Sequence, residues 1–385
     1  MNDVAALHKA EFGEAPALLA SAPGVGNLMG AHTESTDGLV LLFGLNHRAR
    51  VAVSPRADNS LRLFAPDLKE RKRTSIAAMR FRKEDHSANL GKGVISRLQT
   101  LGARVRGVNI TITSDIPRGI GLAGSQALTT ALAMALAELF KFPVDAIAAA
   151  QIAHHAEHSF VGEDVGLASF LATALARAGT VMLVDTHKLE WSHIPFDLNG
   201  HTLVGINTNA PSAETPEESA LRLADCELCL DALTGGKHAT SLQDISMQEL
   251  YSSIGMVPEQ ARRHCLHVVS ENERVLHMVE ALTHGDFEHV GRLLSQSHES
   301  LRDLYEVSTP EVDWVVRHTE DIHGVFGARL AGGTGSSCAM AIASGEAVET
   351  LKERLQDYER IFGFHPDLVQ CSTDDGVRID FREDE

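Results

Sequence analysis

Pro117-Arg118-Gly119-Ile120-Gly121-Leu122-Ala123-Gly124-Ser125 decides how this chain is read. Ahead of it, Val108-Asn109-Ile110-Thr111-Ile112-Thr113 alternates apolar and polar residues, as a half-buried strand does. Behind it, Leu128, Leu132, Leu136 and Phe140 recur every four residues and so share one face of a helix. Strand, small residues and helix start together hold phosphate on backbone N–H groups. Rival readings of the loop exist. Gly119, Gly121 and Gly124 formally match the dinucleotide fingerprint, but its acid on a second strand about 20 residues further on is missing, because Glu138 is still in the helix. A Walker loop would close on Gly-Lys-Ser or Gly-Lys-Thr, which this one does not. A purely structural turn rarely needs so many small residues in a row.

Working outward, Pro143 stops the helix and Asp145 can cap the next, at about 146–158. Upstream, 38–53 reads as a pair of strands, Leu39-Val40-Leu41-Leu42-Phe43 and Arg48-Ala49-Arg50-Val51-Ala52-Val53, and 88–102 as a helix. Val181-Met182-Leu183-Val184 is a further strand. A second region starts near Leu203-Val204-Gly205-Ile206, is mostly helical to about 324, and ends as strand, helix and strand at 338–343, 347–358 and 377–380. Gly235-Gly236-Lys237 is the clearest internal loop. Periodicity alone therefore yields mixed α and β.

Composition sets the outer bounds. A chain of 385 residues exceeds what one core usually covers, so two domains are expected. The apolar share of 44% and charged share of 22% suit a globular protein. No run approaches the roughly 20 apolar residues of a membrane span, and Met1-Asn2-Asp3-Val4 opens without a signal core, so a cytoplasmic protein is expected. A net charge of −18 without a basic stripe argues against nucleic acid as a partner. The five cysteines are scattered and suggest no disulfide framework; Cys226 and Cys229 fall within one helical stretch and read as packing residues.

Pro-x-Gly-x-Gly-Leu-x-x-Ser resembles the phosphate loop of the GHMP kinases, and the surroundings resemble the galactokinase family. Four more segments match in order. Ala22-Pro23-Gly24-Val25-Gly26-Asn27-Leu28-Met29-Gly30-Ala31-His32-Thr33-Glu34-Ser35-Thr36-Asp37-Gly38 resembles the signature APGRVNLIGEHTDYNDG. His155-Ala156-Glu157-His158-Ser159-Phe160-Val161-Gly162 resembles a helix end A-E-x-x-F-V-G. Asn207-Thr208-Asn209 resembles the opening of the second domain, and Gly327–Cys338 resembles the loop GARMTGGGFGGC. The resemblance implies an α+β, two-domain GHMP kinase fold. Residues 1–200 would form a ribosomal protein S5 domain 2-like N-terminal domain with the phosphate loop. Residues 201–385 would form a ferredoxin-like C-terminal domain, with the active cleft between the two. It implies ATP and Mg²⁺ as cofactors. Pro117, Gly119, Gly121, Leu122, Ala123, Gly124 and Ser125 would bind the nucleotide. Ser125 and Glu157 would ligate the metal, and Gly332–Ser337 would close over the site. His32, Glu34, Asp37 and Gly166 would bind substrate. Partners would be a small-molecule substrate and at most a second copy, as monomer or homodimer, with neither nucleic acid nor membrane.

The departures from the family fall on the chemistry. Val25 stands where the signature has arginine, Ala31 where it has glutamate, and Glu34 where it has aspartate. In the run resembling C-G-I-M-D-Q, Ser169 stands at the aspartate and Phe170 at the glutamine. The tyrosine of the second-domain segment falls at Ser219. Serine cannot serve as base, and a base is typically worth about 10²–10⁴-fold in rate. Glu34, Glu163 and Asp164 are the available acids, and Phe170 would present an apolar wall to the acceptor. His154, His155 and His158 cluster around Glu157 as surface histidines or a metal site. Three readings stay open: a kinase for a substrate other than galactose, a catalytically degenerate nucleotide- or metabolite-binding sensor, and an enzyme of another class reusing the cleft.

Overall fold

In a computed structural model the chain is described over residues 4–77, 79–118, 121–212, 214–234, 241–252, 255–331 and 337–383. Gly119, the loop from Gly235 to Lys237, and Gly332 to Ser336 of the second glycine loop lie outside the described residues.

Two sheets organise these residues. The first has eight strands. Its main path runs Arg378–Arg382, Leu18–Met29, Leu39–Pro55, Val108–Ser114, Ser60–Ala65, Glu70–Ser75; Thr180–Asp185 pairs with Leu39–Pro55 and with Glu190–Pro195. All these pairings are antiparallel except Ser60–Ala65 with Val108–Ser114. The second sheet is antiparallel, in the order Asp367–Cys371, Thr202–Asn207, Cys338–Ala343, Val325–Ala331.

The strand pair expected at 38–53 is one strand, Leu39–Pro55. The polar stretch Asn46-His47-Arg48 looks like a turn in sequence. Here Arg48 is instead buried, its guanidinium on Asp374, on Ser21 and on the carbonyls of Asp375 and Gly376. The strand stays continuous because its first half pairs with Thr180–Asp185 and its second with Val108–Ser114. Val108–Ser114 is also buried on both faces rather than half-buried. Its apolar residues Val108, Ile110 and Ile112 join the core, while the helix Val4–Phe12 covers the polar face. There His8 meets Thr111 at 2.9 Å and Ser54 at 2.9 Å, which supplies the partners that buried hydroxyls require.

The helix after the glycine loop is Gly124–Leu139, and its small buried residues Ala127, Ala131 and Ala135 let it lie close to the first sheet. Asp145 caps Ala146–His155 by accepting from the Ala148 N–H at 2.8 Å. The helix expected to continue to 158 widens after His155 into a π-turn, Ala156–Val161. Such turns often mark functional sites.

The second half holds two strands that periodicity did not reveal, Val325–Ala331 and Asp367–Cys371. The last strand, expected within 201–385 as part of the second domain, crosses back to pair with Leu18–Met29 in the first sheet. The Arg48 cluster fastens the segment that leads to it. Cys226 and Cys229 are buried on the helix Pro216–Thr234, packed with Cys265. No helix among the described residues is long and apolar enough to cross a membrane.

Removing a buried charged partner leaves the other groups unpaired. Arg48→Ala should therefore lower the unfolding free energy by about 3 kcal/mol in urea denaturation, whereas Arg50→Ala, whose ion pair with Asp115 is half exposed, should cost under about 1 kcal/mol.

Candidate active site

The glycine loop folds back on the first sheet. The Val25 N–H donates to the Leu122 carbonyl at 3.0 Å, and a Cβ on Gly24 would fall 2.8 Å from the same oxygen, so position 24 has no room for a side chain. Ala123 takes left-handed backbone (φ 52°) immediately before the helix, and no side chain caps the helix start. Its first N–H groups are thus left for an anion, as phosphate sites require.

Above this helix start opens a cavity of about 760 Å³. Pro117, Gly121, Leu122, Ala123, Gly124 and Ser125 line it, as do His32, Glu34, Gly166, Ser169 and Ser219. Val25 and Ala31, at the altered signature positions, line it too. Ser219, on the helix Pro216–Thr234, is the lining residue contributed by the second half among those described.

Glu157 is buried on the π-turn. Its Oε1 lies 2.6 Å from the Thr129 hydroxyl, which is also 2.8 Å from the Ser125 carbonyl, while the Ser125 hydroxyl donates to Gln126 Oε1 at 3.1 Å. Burial pushes its carboxyl up to about 7, against the pull of the Thr129 and Ser125 hydroxyls and with a further push from Glu163. The two residues expected as metal ligands are therefore brought together, and both offer hard oxygen donors.

The acceptor side is built by the loop after Leu18–Met29. His32, at φ 61°, packs its ring 4.7 Å from that of Tyr305. Burial, then His267 and Arg222 nearby, hold its imidazole down to about 3, so it is neutral. Glu34 reaches across to the start of the helix Ala168–Leu175 and accepts from the Ala168 N–H at 2.7 Å. Burial raises its carboxyl above the ordinary range, opposed by that hydrogen bond. A Cβ on Gly166 would lie 2.0 Å from Glu34 Oε1, so glycine there is what admits the carboxylate. Glu34 thus bonds the backbone one residue before Ser169, and both residues line the cavity.

Other expected residues fall elsewhere. Asp37 is exposed and does not line the cavity; its carboxylate lies 3.8 Å from the His187 ring. Phe170 is no wall of the cavity. It points into the core, edge-on to His154 with ring centroids 5.5 Å apart, because it follows Ser169 on the helix and faces the opposite side. Asp164 lines the cavity and Glu163 does not. His154 stacks on His158 and bonds the Val165 carbonyl at 3.0 Å, so its role is to hold the 163–166 loop. Among the described residues no group of three potential metal-ligating side chains forms.

Sequence reasoning missed the support beneath the loop. Glu271, on the helix Glu259–His284, accepts from the Gly30 and Ala31 N–H groups at 3.1 Å each. Burial opposes its ionisation, yet Arg274, His267 and Arg329 hold its carboxyl down to about 2. Asn272 accepts from the Leu39 N–H, His267 bonds the Ala31 carbonyl, and Arg329 bonds Asn27 and Leu28. The available signal was Glu271 in step with Val268, Val275 and Met278 on an otherwise apolar helix face.

Comparison with known proteins agrees with this geometry. Residues 6–55 match the galactokinase galactose-binding signature, 89–176 the GHMP kinases N terminal domain, and 278–360 the GHMP kinases C terminal family. A galactokinase of Thermotoga petrophila is 33% identical over 358 residues, 93% of this chain and 98% of the relative. The chain belongs to the galactokinase family. A galactokinase of Roseiflexus sp. is likewise 33% identical, over 95% of this chain and 94% of its own length. The crystal structure of Lactococcus lactis galactokinase complexed with galactose superposes with a TM-score of 0.91 at 24% identity, covering 97% and 98% of the two chains. Methanococcus jannaschii mevalonate kinase follows at 0.67 and 15%, covering 92% and 98%. The architecture is the two-domain GHMP kinase fold, and membership in this family implies use of ATP.

A carboxyl whose pKa is raised on folding favours the folded state in its protonated form. Its contribution is complete below the unfolded value and is lost as pH rises toward the folded one. For Glu157 that window runs from the ordinary glutamate value of 4.5 to about 7. With divalent metal chelated, Glu157→Gln should lose less stability than the parent between pH 5 and pH 8, by up to about 3 kcal/mol, in urea unfolding at the two pH values.

Proposed function

We propose that this chain is an ATP- and Mg²⁺-dependent kinase for a sugar or polyol-like acceptor other than galactose. Glu34 would take the proton that the missing aspartate takes elsewhere in the family. The observation that carries this reading is one cavity lined by the phosphate-loop residues up to Ser125 and by His32, Glu34 and Ser169. Glu157 is buried behind the loop, bonded to Thr129, and Glu34 is held at the other end by the Ala168 N–H.

The roles follow from the geometry. Uncapped N–H groups at Gly124 and Ser125 would receive phosphate oxygens. Ser125 Oγ and the Glu157 carboxylate would hold magnesium, which would neutralise phosphate charge when bound. The fit rests on the carboxyl itself, since burial leaves it short of a cation. His32, neutral and fixed against Tyr305, can donate to or accept from an acceptor hydroxyl without adding charge. Glu34 Oε1 is oriented by the Ala168 N–H, and the raised carboxyl makes it a better proton acceptor than a solvated one.

A second reading, a nucleotide- or metabolite-binding sensor, is favoured by Val25, Ala31 and Ser169 together, since each removes a charged group of the family's site. The substrate is a small molecule and the site is monomer-complete on this reading, with a cytoplasmic, non-membrane setting. Magnesium-ATP should raise the melting temperature, and a panel of sugars should yield ADP. Glu34→Gln should then lower kcat about 10²–10⁴-fold and abolish the acid limb of the kcat/KM profile, where the parent loses activity as pH falls through the raised Glu34 value. A Glu34→Gln protein with parental turnover would sink the base assignment. Nucleotide binding without turnover of any acceptor would favour the sensor.

A further inference from the structure

We infer that the acceptor is an uncharged sugar or polyol in which an apolar substituent replaces one or more hydroxyls. This rests on the kinase reading above, and it concerns the acceptor end of the same cavity.

Charge gives the first constraint. Among the described lining residues the one cationic side chain is Arg118, on the phosphate loop, while the His32 ring is neutral. A carboxylate or phosphate on the acceptor would meet no cation there and would face Glu34 and Asp164. Burying an unpaired charge is far more costly than burying a neutral group.

Hydrogen bonding gives the second. Asn27 lines this end, but its Oδ1 already accepts from Arg329 at 2.8 Å and its amide points at the Gly30 carbonyl. One oxygen of Glu34 is taken by the Ala168 N–H. Among the described lining residues, side chains that can still meet the acceptor include the His32 ring, the other Glu34 oxygen, the Ser169 hydroxyl and the Asp164 carboxylate. All four stand on the loops and the helix start at 32–34 and 164–169, and none on the strands Leu18–Met29 and Leu39–Pro55.

The facing wall gives the third. Val25 and Asn27 project from Leu18–Met29 beside Val40 and Leu42 of its partner strand, with Asn27 paired to Leu42. Val25, Ala31, Val40 and Leu42 are all closed from solvent and line the cavity. A hydroxyl against this wall would lose its water without a replacement, whereas a methyl or methylene group would gain by the same contact. Each unmatched hydroxyl should lower kcat/KM about tenfold or more.

The test uses the whole chain with magnesium-ATP and follows ADP release. The acceptors are a parent hexose set, its deoxy and O-methyl derivatives, a hexose phosphate and a short hydroxy acid. A deoxy or alkyl-bearing sugar should exceed its parent at least about tenfold in kcat/KM, and the anionic acceptors should be the poorest. Val25→Thr, which adds a hydroxyl at nearly constant shape, should narrow that gap while lowering the melting temperature, since the hydroxyl is buried without a partner until a sugar binds. A preference for the fully hydroxylated parent, or for an anionic acceptor, overturns the inference, as does an unchanged gap in Val25→Thr. Should no acceptor turn over, that counts against the kinase reading alone. The same ranking is then read from melting-temperature shifts with each sugar at millimolar concentration, where equal or reversed shifts overturn the inferred class.

Discussion

Glu271 is a carboxylate sealed from water, and the loop that shapes the acceptor end of the cavity hangs on it. One of its oxygens receives two successive N–H groups, at Gly30 and Ala31, and the Ser297 hydroxyl. The other is held by Arg274 at 2.7 Å. A buried charge of this kind persists only when its lone pairs are met, and here they are. The result is that His32 and Glu34, two and four residues beyond Gly30, occupy fixed places although they lie on a short irregular segment. The helix that supplies Glu271 belongs to the second half of the chain, so the acceptor end forms only when both halves are in place.

The two ends of the cavity differ in kind. The phosphate end has small residues, an uncapped helix start, a serine and a buried glutamate. At the acceptor end Val25, Ala31 and Ser169 are uncharged and Glu34 carries the carboxylate. That carboxylate reaches the Ala168 N–H over the bare Cα of Gly166. Phosphoryl transfer depends chiefly on positioning and charge neutralisation, so a site can keep the first end and change the second without leaving the reaction class.

Much of this was legible in the sequence. The glycine loop, the helix behind it, the Asp145 cap and the Ser125–Glu157 pair were all readable, because each depends on local chemistry or on a motif of fixed spacing. Leu39–Pro55 was misread as two strands because a buried arginine looks like a turn residue until its partner, Asp374, is seen more than three hundred residues away. The covered polar face of Val108–Ser114 needed the helix Val4–Phe12, and the final strand needed a partner from the first sheet. Phe170 was misplaced for a related reason. A motif names the position of a residue, but the direction of its side chain comes from the helix or turn that carries it. Glu271 matched no motif at all, and only its apolar surroundings set it apart.

The central claim is that one cavity joins a phosphate site at Ser125, with Glu157 buried behind it, to a proton acceptor at Glu34. A crystal structure with magnesium, a non-hydrolysable ATP analogue and a bound sugar tests it most directly. The account predicts phosphate oxygens on the N–H groups at 121–125, the metal between Ser125 and Glu157, and an acceptor hydroxyl about 3 Å from Glu34. A nucleotide bound elsewhere, or a sugar whose hydroxyls all lie beyond hydrogen-bond reach of Glu34, would contradict it.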